Sequence, residues 1–238
     1  MGIVKTKGII IAENNNGDFD KMLTMLTPGY GKIGCAAKGA RRPKSLLMSG
    51  TQFLCFGEYI LYKGNNTYNI NSCETIEMFY DIRVDLDKLK YAVHITKIIS
   101  DVTTENQNSY KILQLFLNTL YVISKTDKDL DLVTSIFRIR LMSIIGFRPN
   151  IDKCSCCGVI GDFSYFSFLD NGFKCESCGR QDKGAIKISE TTKDAIRYIV
   201  LSDAKKIYSF DISEESKREL EIVSKLYLNE KLEKEYKM

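Results

Sequence analysis

A chain of 238 residues, 44% hydrophobic and 27% charged, is the size of one large domain or of two to three small ones, with ordinary globular composition. No apolar run reaches the length of a membrane-spanning helix, and the first residues lack the apolar core of a secretion signal, so export and membrane insertion are not expected. The net charge is only +4, but residues 1–80 hold nine Lys/Arg against six Asp/Glu, and residues 81–180 and 181–238 are each within one charge of balance.

The first third reads as β-structure. Residues 7–12 form a short apolar strand, and Asn14-Asn-Asn-Gly17 is a turn. The opening Met-Gly-x-x-x-Thr fits an acylation pattern, but Ile3, Val4 and the Ile9-Ile10-Ile11 run read as strand instead. Residues 21–26 and 32–37 give the second and third strands, separated by Thr27-Pro28-Gly29. Residues 53–62 make a longer fourth strand, and a turn at Lys63-Gly64-Asn65-Asn66 precedes a fifth over 67–70. Five short strands punctuated by turns predict a small barrel, with an OB-fold as the natural candidate.

Between the third and fourth strands runs Lys38-Gly-Ala-Arg41-Arg42-Pro43-Lys44-Ser45. From Lys32 to Lys44 there are five positive residues and no negative one. Glycine and proline keep the segment irregular, so Lys32, Lys38, Arg41, Arg42 and Lys44 are candidate contacts to a phosphate backbone. A merely solvated loop is the plain alternative. Phe53, Phe56, Tyr59 and Tyr62 follow and are expected mostly in the barrel core.

After Asp81 the period becomes helical. Leu86, Leu89 and Val93, widened by Ile95, Ile98 and Ile99, mark one helix face. Residues 109–125 form a second helix with a broad stripe from Ile112 to Tyr121, and residues 131–145 a third. Gly146 and Pro149 end that third helix. Ser189 and Ser213 are expected to cap two further helices. Helices this apolar must pack into a bundle. The closing run of alternating charges, residues 230–237, reads as a solvated face.

The segment 154–178 carries the clearest chemistry. Cys154-Ser-Cys-Cys157-Gly158 and Cys175-Glu-Ser-Cys178-Gly179 form two C-x2-C knuckles seventeen residues apart. This is the spacing of a structural four-cysteine zinc site. The trailing glycine selects Cys157 over Cys156 as the partner of Cys154. Strand-like residues 163–168 and the turn Asp170-Asn171-Gly172 fill the insert, giving a zinc ribbon. One closed, structural Zn2+ ion is expected. Eight cysteines without an export signal fit a reducing cytoplasm.

No catalytic constellation accompanies these motifs. His94 is the only histidine and sits in an apolar helical setting. Asp127, Asp129 and Asp131 alternate, but the glycine and distal glutamate of a calcium loop are missing. A non-enzyme is therefore expected. Three other readings compete with a DNA-binding one. The first is a zinc-ribbon transcription or RNA-binding factor, the second a metallohydrolase, and the third a scaffold whose basic loop meets an acidic protein.

The chain resembles the RecO family of bacterial recombination mediators. The resemblance rests on Lys7-Gly-Ile-Ile-Ile11, on Leu26-Thr-Pro-Gly-Tyr-Gly-Lys-Ile-Gly-Cys-Ala-Ala-Lys-Gly-Ala-Arg-Arg-Pro-Lys-Ser45 and on Phe137-Arg-Ile-Arg-Leu-Met-Ser-Ile-Ile-Gly-Phe-Arg-Pro149, together with the two knuckles. It covers essentially the whole length in order. It implies an α+β protein: an OB-fold over residues 1–80, a helical bundle over 81–150, an inserted zinc ribbon over 151–183, and helices returning to the bundle over 184–238. It also implies binding of single- and double-stranded DNA, annealing of complementary strands, and loading of RecA with RecR, and in many members RecF. A further implied partner is the acidic, apolar tail of single-stranded DNA-binding protein (SSB). Arg138, Arg140 and Arg148 are the candidate cations for that tail. The implied place is the cytoplasm, at the nucleoid. Cys156 is the departure from the family pattern.

Overall fold

The computed structural model describes residues 2–64 and 67–237 and opens on a long strand, β1 (Ile3–Asn16). β2 (Asp20–Thr27), β3 (Gly31–Ala37), β4 (Phe56–Lys63) and β5 (Tyr68–Glu77) follow. They close a five-stranded barrel in the order β1-β2-β3-β5-β4, an OB-like arrangement. β1 serves two partners in turn: Ile3 to Ile9 pair with β4, and Ile9 to Asn16 pair with β2. A strand that changes partner must bend, and the register shift between Ile10 and Ala12 supplies the bend. Closure comes from a short parallel ladder, Cys35 with Tyr68 and Ala36 with Asn69. Ile10, Leu23, Met25, Ile33, Tyr59 and Leu61 fill the interior.

The expected strands are present, with longer ends at β1 and β5. The fourth begins at Phe56 rather than at residue 53, because Phe53 belongs to the turn-rich connection from β3. The turn expected at Lys63-Gly64-Asn65-Asn66 ends at Asn65 and Asn66, outside the described residues.

The chain divides into two compact units, residues 1–116 and 117–238. In the first, α1 (Tyr80–Arg83) and α2 (Leu86–Val102) follow the barrel. The Asp85 carboxylate caps α2, accepting from the amides of Asp87 and Lys88 at 3.0 Å each. α2 buries Ala92, His94, Ile95, Thr96, Ile98 and Ile99. Leu86 and Val93, expected on the inner face, are instead 82% and 48% exposed. The segment after α2 then docks on the β2–β3 turn. Lys32 N donates to Thr104 O at 3.1 Å, Asn106 N to Tyr30 O at 2.9 Å, and Ser109 N to Pro28 O at 2.9 Å. Gly31 is obligatory at this joint, with φ +67° and the Thr104 carbonyl 2.0 Å from where a Cβ would sit. The division between units falls within α3 (Tyr110–Lys125).

In the second unit α4 (Leu130–Ile144) is buried at every position from Leu132 to Ile139, as a helix apolar all round must be. Asp129, one of the three alternating aspartates, is its N-cap and accepts from Leu132 N at 2.8 Å. The ribbon follows: β6 (Tyr165–Ser167), β7 (Gly172–Lys174), α5 (Glu176–Gln181) and β8 (Ile186–Lys187), with sheet order β7-β6-β8. The expected hairpin and turn are there, and the third strand lies beyond the second knuckle. α6 (Glu190–Leu201) and α7 (Glu214–Leu232) then return to pack on α4. Ser189 and Ser213 cap them as expected, accepting from Thr192 N and Ser216 N. Phe166 of β6 meets the Tyr227 ring edge-on at 5.2 Å, which seats the ribbon on α7. No described helix is long and apolar enough to cross a membrane.

Candidate metal centre and nucleic-acid interface

The two knuckles bring four thiols together. The sulfurs of Cys154, Cys157, Cys175 and Cys178 all lie within 4.8 Å of one another. An ion bonded to four sulfurs at about 2.3 Å sets them about 3.8 Å apart. The Cys157 and Cys175 sulfurs are 3.8 Å apart. The donor set and its size thus fit a tetrahedral metal ion. Cys154 is the buried corner of the cluster and Cys157 its exposed one; Cys156, also exposed, is not among the four.

Local backbone geometry builds each corner. Cys154 N donates to Val159 O at 2.8 Å and Gly158 N returns a bond to Cys154 O at 2.9 Å, closing the first knuckle. Gly158 turns with φ +75°, so the first trailing glycine is a conformational requirement. The second is a packing requirement. Gly179 lies in α5, and a Cβ there would sit 2.2 Å from the Tyr165 ring. Burial pushes the Cys154 thiol up, but hydrogen bonds from the backbone of Cys157, Cys175 and Cys156 outweigh it and bring it down to about 6. Cys175 is lowered as well, first by its hydrogen bond with Ser177, whereas Cys178 is raised by Cys175 and Cys157 and Cys157 is raised in turn, so the thiols compete for negative charge across the cluster.

Sequence gave no sign of the ion pair that ties the ribbon together. Lys174 Nζ, on a side chain 6% exposed, contacts Asp170 and lies 2.7 Å from Asp182 Oδ2. Ser167 Oγ donates to the same Asp182 oxygen at 2.7 Å. Lys174 and Ser167 together hold the Asp182 carboxyl down at about 2. The only sequence signal was a lysine at a position whose neighbours alternate inward.

The cationic segment between β3 and β4 is anchored to the β1–β2 hairpin. Gly39 N donates to Asp20 Oδ1 at 2.7 Å and Arg41 N to Phe19 O at 2.9 Å. Arg41 Nη1 donates to Gly17 O at 3.1 Å, and the Arg42 guanidinium lies 5.4 Å from the centre of the Phe19 ring. Lys38, Arg41, Arg42 and Lys44 are exposed. Among the described residues no carboxylate pairs with any of the four. Lys32 stands apart: its ammonium donates to the Ser100 carbonyl on α2. Phe19 and Asp20, which hold this segment, were not singled out from sequence. The turn expected at Asn14-Asn-Asn-Gly17 was the available hint, but the three asparagines pair with β2 and the turn itself runs over residues 17–19.

The three arginines near α4 are not equivalent. Arg138 is buried at 2% exposure. Arg140 Nη1 donates to Ile199 O at 3.0 Å and Val200 O at 2.9 Å, satisfying carbonyls at the end of α6. Arg148 is exposed.

Comparison with known proteins agrees with this architecture. Residues 1–79 match the family model described as Recombination protein O N terminal, and residues 83–238 match Recombination protein O C terminal. The chain belongs to the RecO family. A protein of Acetivibrio thermocellus named DNA repair protein RecO is 48% identical over 99% of this chain and 94% of its own. Proteins of the same name from Alkaliphilus metalliredigens and a Thermoanaerobacter species are each 31% identical, over 95% and 100% of this chain and 92% and 96% of theirs. RecO membership places the chain in DNA repair and recombination, and it bears out the α+β class with an N-terminal OB-like barrel.

Proposed function

We propose that this chain is a recombination mediator that holds single- and double-stranded DNA without reading sequence, anneals complementary strands, and with RecR helps load RecA onto SSB-coated strands. The observation that carries this reading is the anchored loop with four exposed cations that no carboxylate among the described residues neutralises. Such a loop meets phosphates without contacting base edges, as annealing requires. Lys38, Arg41, Arg42 and Lys44 are the main contacts; Lys32, already engaged by Ser100, is the least exposed of the set. No bond-making residue is needed for this work, and the chain acts without catalysis.

One zinc ion held by Cys154, Cys157, Cys175 and Cys178 stabilises the ribbon. Four thiolates complete its coordination, so its role is structural. The SSB tail binds the second unit through the exposed Arg148, while Arg140 is taken up by the Ile199 and Val200 carbonyls and Arg138 is buried. RecF is a further partner of the assembly, and the cytoplasmic nucleoid its place. The working division is barrel 1–80, bundle 81–150, ribbon 151–183 and returning helices 184–238.

The test is a salt titration of strand binding. Each lysine or arginine on a phosphate contributes about 0.7 to the slope of log affinity against log salt for a single strand. Replacing Lys38, Arg41, Arg42 and Lys44 with alanine should flatten that slope by roughly 2 to 3 and weaken unrelated sequences alike. Parallel slopes would make the loop a bystander. A matched RNA strand bound in preference to DNA would favour a transcription or RNA-binding factor instead.

A further inference from the structure

Beside the cationic loop lies a cleft of 380 Å³, the size of a small-ligand pocket. Arg41 forms part of its wall as well as part of the loop. Arg83, from α1, is a second cation in the wall; its guanidinium donates to Gln52 Oε1 and, at 3.0 Å, to the Met78 carbonyl. Glu13 and Lys21 neutralise each other across 2.7 Å, so the cleft keeps the charge of two arginines. Its apolar wall is Met48 and Phe53. Met48 is 43% exposed, and Phe53 is the aromatic that left the strand for this connection. The buried Tyr59 hydroxyl donates to Gly50 O at 2.8 Å, fixing the connection between those two side chains to the barrel.

Two guanidinium groups beside an apolar wall with one aromatic ring match a ligand that is anionic at one end and flat and apolar at the other. We propose that this cleft seats one nucleotide of a bound single strand, its base against Phe53 and Met48 and its phosphate on Arg41 and Arg83. The proposal rests on the DNA-binding reading and adds to it a base-stacking subsite. Stacking on a side chain is sequence-tolerant because every base has a π-face. A loop of cations alone would hold a bare sugar-phosphate chain as well as a complete strand, whereas a stacking subsite would not.

The chain has no tryptophan, so Met48→Trp creates a single indole at the cleft mouth. The probes are oligothymidylate and an abasic strand of equal length, with strand binding followed independently by anisotropy. Oligothymidylate should quench the indole and the abasic strand should not, although both bind. Phe53→Ala should weaken oligothymidylate about 5-fold or more and leave the abasic strand unchanged. Met48→Ala, on a more exposed side chain, should act in the same direction without a folding defect. Both strands binding with no difference in quenching, and no base-dependent loss in either alanine variant, would overturn the subsite while leaving the DNA reading intact. Failure of the parent to bind either strand would overturn the DNA reading and the subsite with it.

Discussion

Cys156 and Cys157 are adjacent thiols, of which only Cys157 belongs to the four-cysteine cluster. Both thiols are exposed, yet only the Cys157 sulfur joins those of Cys154, Cys175 and Cys178 within 4.8 Å of one another. Structural metal supplies folding energy, so removing one ligand costs far more than removing a neighbouring thiol. Cys175→Ser should therefore lose its zinc and unfold the ribbon, and Cys156→Ser should keep one zinc per chain. Elemental analysis of both purified variants checks this. Full occupancy in Cys175→Ser, or none in Cys156→Ser, would remove the assignment. Sequence could decide this pair because the trailing glycine breaks the symmetry. It could not show that Gly158 and Gly179 are required for different reasons, since φ and the nearness of the Tyr165 ring are tertiary facts.

Among the elements, the ribbon's small sheet depends on Asp182, which joins β6 through Ser167 and β7 through Lys174. Its carboxyl is held at about 2, below the ordinary value near 3.9. A depressed carboxyl stabilises the fold above its unfolded value and loses that contribution as pH falls through its folded value. Asp182→Asn should thus cost about 1 to 2 kcal/mol, at the lower end for charged hydrogen bonds because solvent reaches part of the group. The difference from the parent should stay flat between pH 7 and 5 and shrink below about 4. Denaturant melts of both proteins at saturating zinc measure it, and any acid release of metal is common to the two. A difference that already fades at pH 6 would point to another titrating group. Strands and caps were legible here because turn residues and serines act locally. The face of α2 was not: at helical spacing Leu86 and Val93 fall on the side of Lys90, Lys97 and Asp101, away from the buried Ile95, Ile98 and Ile99, so apolar character alone misplaced them. The Lys174–Asp182 pair was hidden because the partners lie eight positions apart and only the fold of the second knuckle and α5 brings them together.

Across the whole molecule, the surplus charge and the proposed sites divide between the two units. The cationic loop lies in residues 1–116, and Arg148 lies in residues 117–238. The loss of function should divide the same way. The alanine variant of Lys38, Arg41, Arg42 and Lys44 should lose strand affinity and keep its affinity for an SSB-tail peptide. Arg148→Glu should weaken the peptide about 5-fold or more, as expected when a cation facing an acidic ligand is reversed, and keep naked-DNA binding. Fluorescence anisotropy with labelled strand and labelled peptide gives the four affinities. Arg148→Glu leaving the peptide unchanged would move the tail site off the end of α4. Membership of the family was legible from ordered motifs over the full length. Which of the three arginines meets solvent was not, because burial of Arg138 depends on what packs over α4.

The third strand of the ribbon stops at Lys187, and α6 begins at Glu190. In that short interval Ile188 N donates to Ser164 O at 2.8 Å, and Ser189 N donates to both Glu219 oxygens of α7 at 3.0 Å. There is no slack between the cysteine cluster's sheet and the first turn of α6. Whatever loosens the ribbon therefore reaches the clamp between α6 and α7 directly, and an ion held by the four thiols would act as a tensioner for helices that contribute none of its ligands.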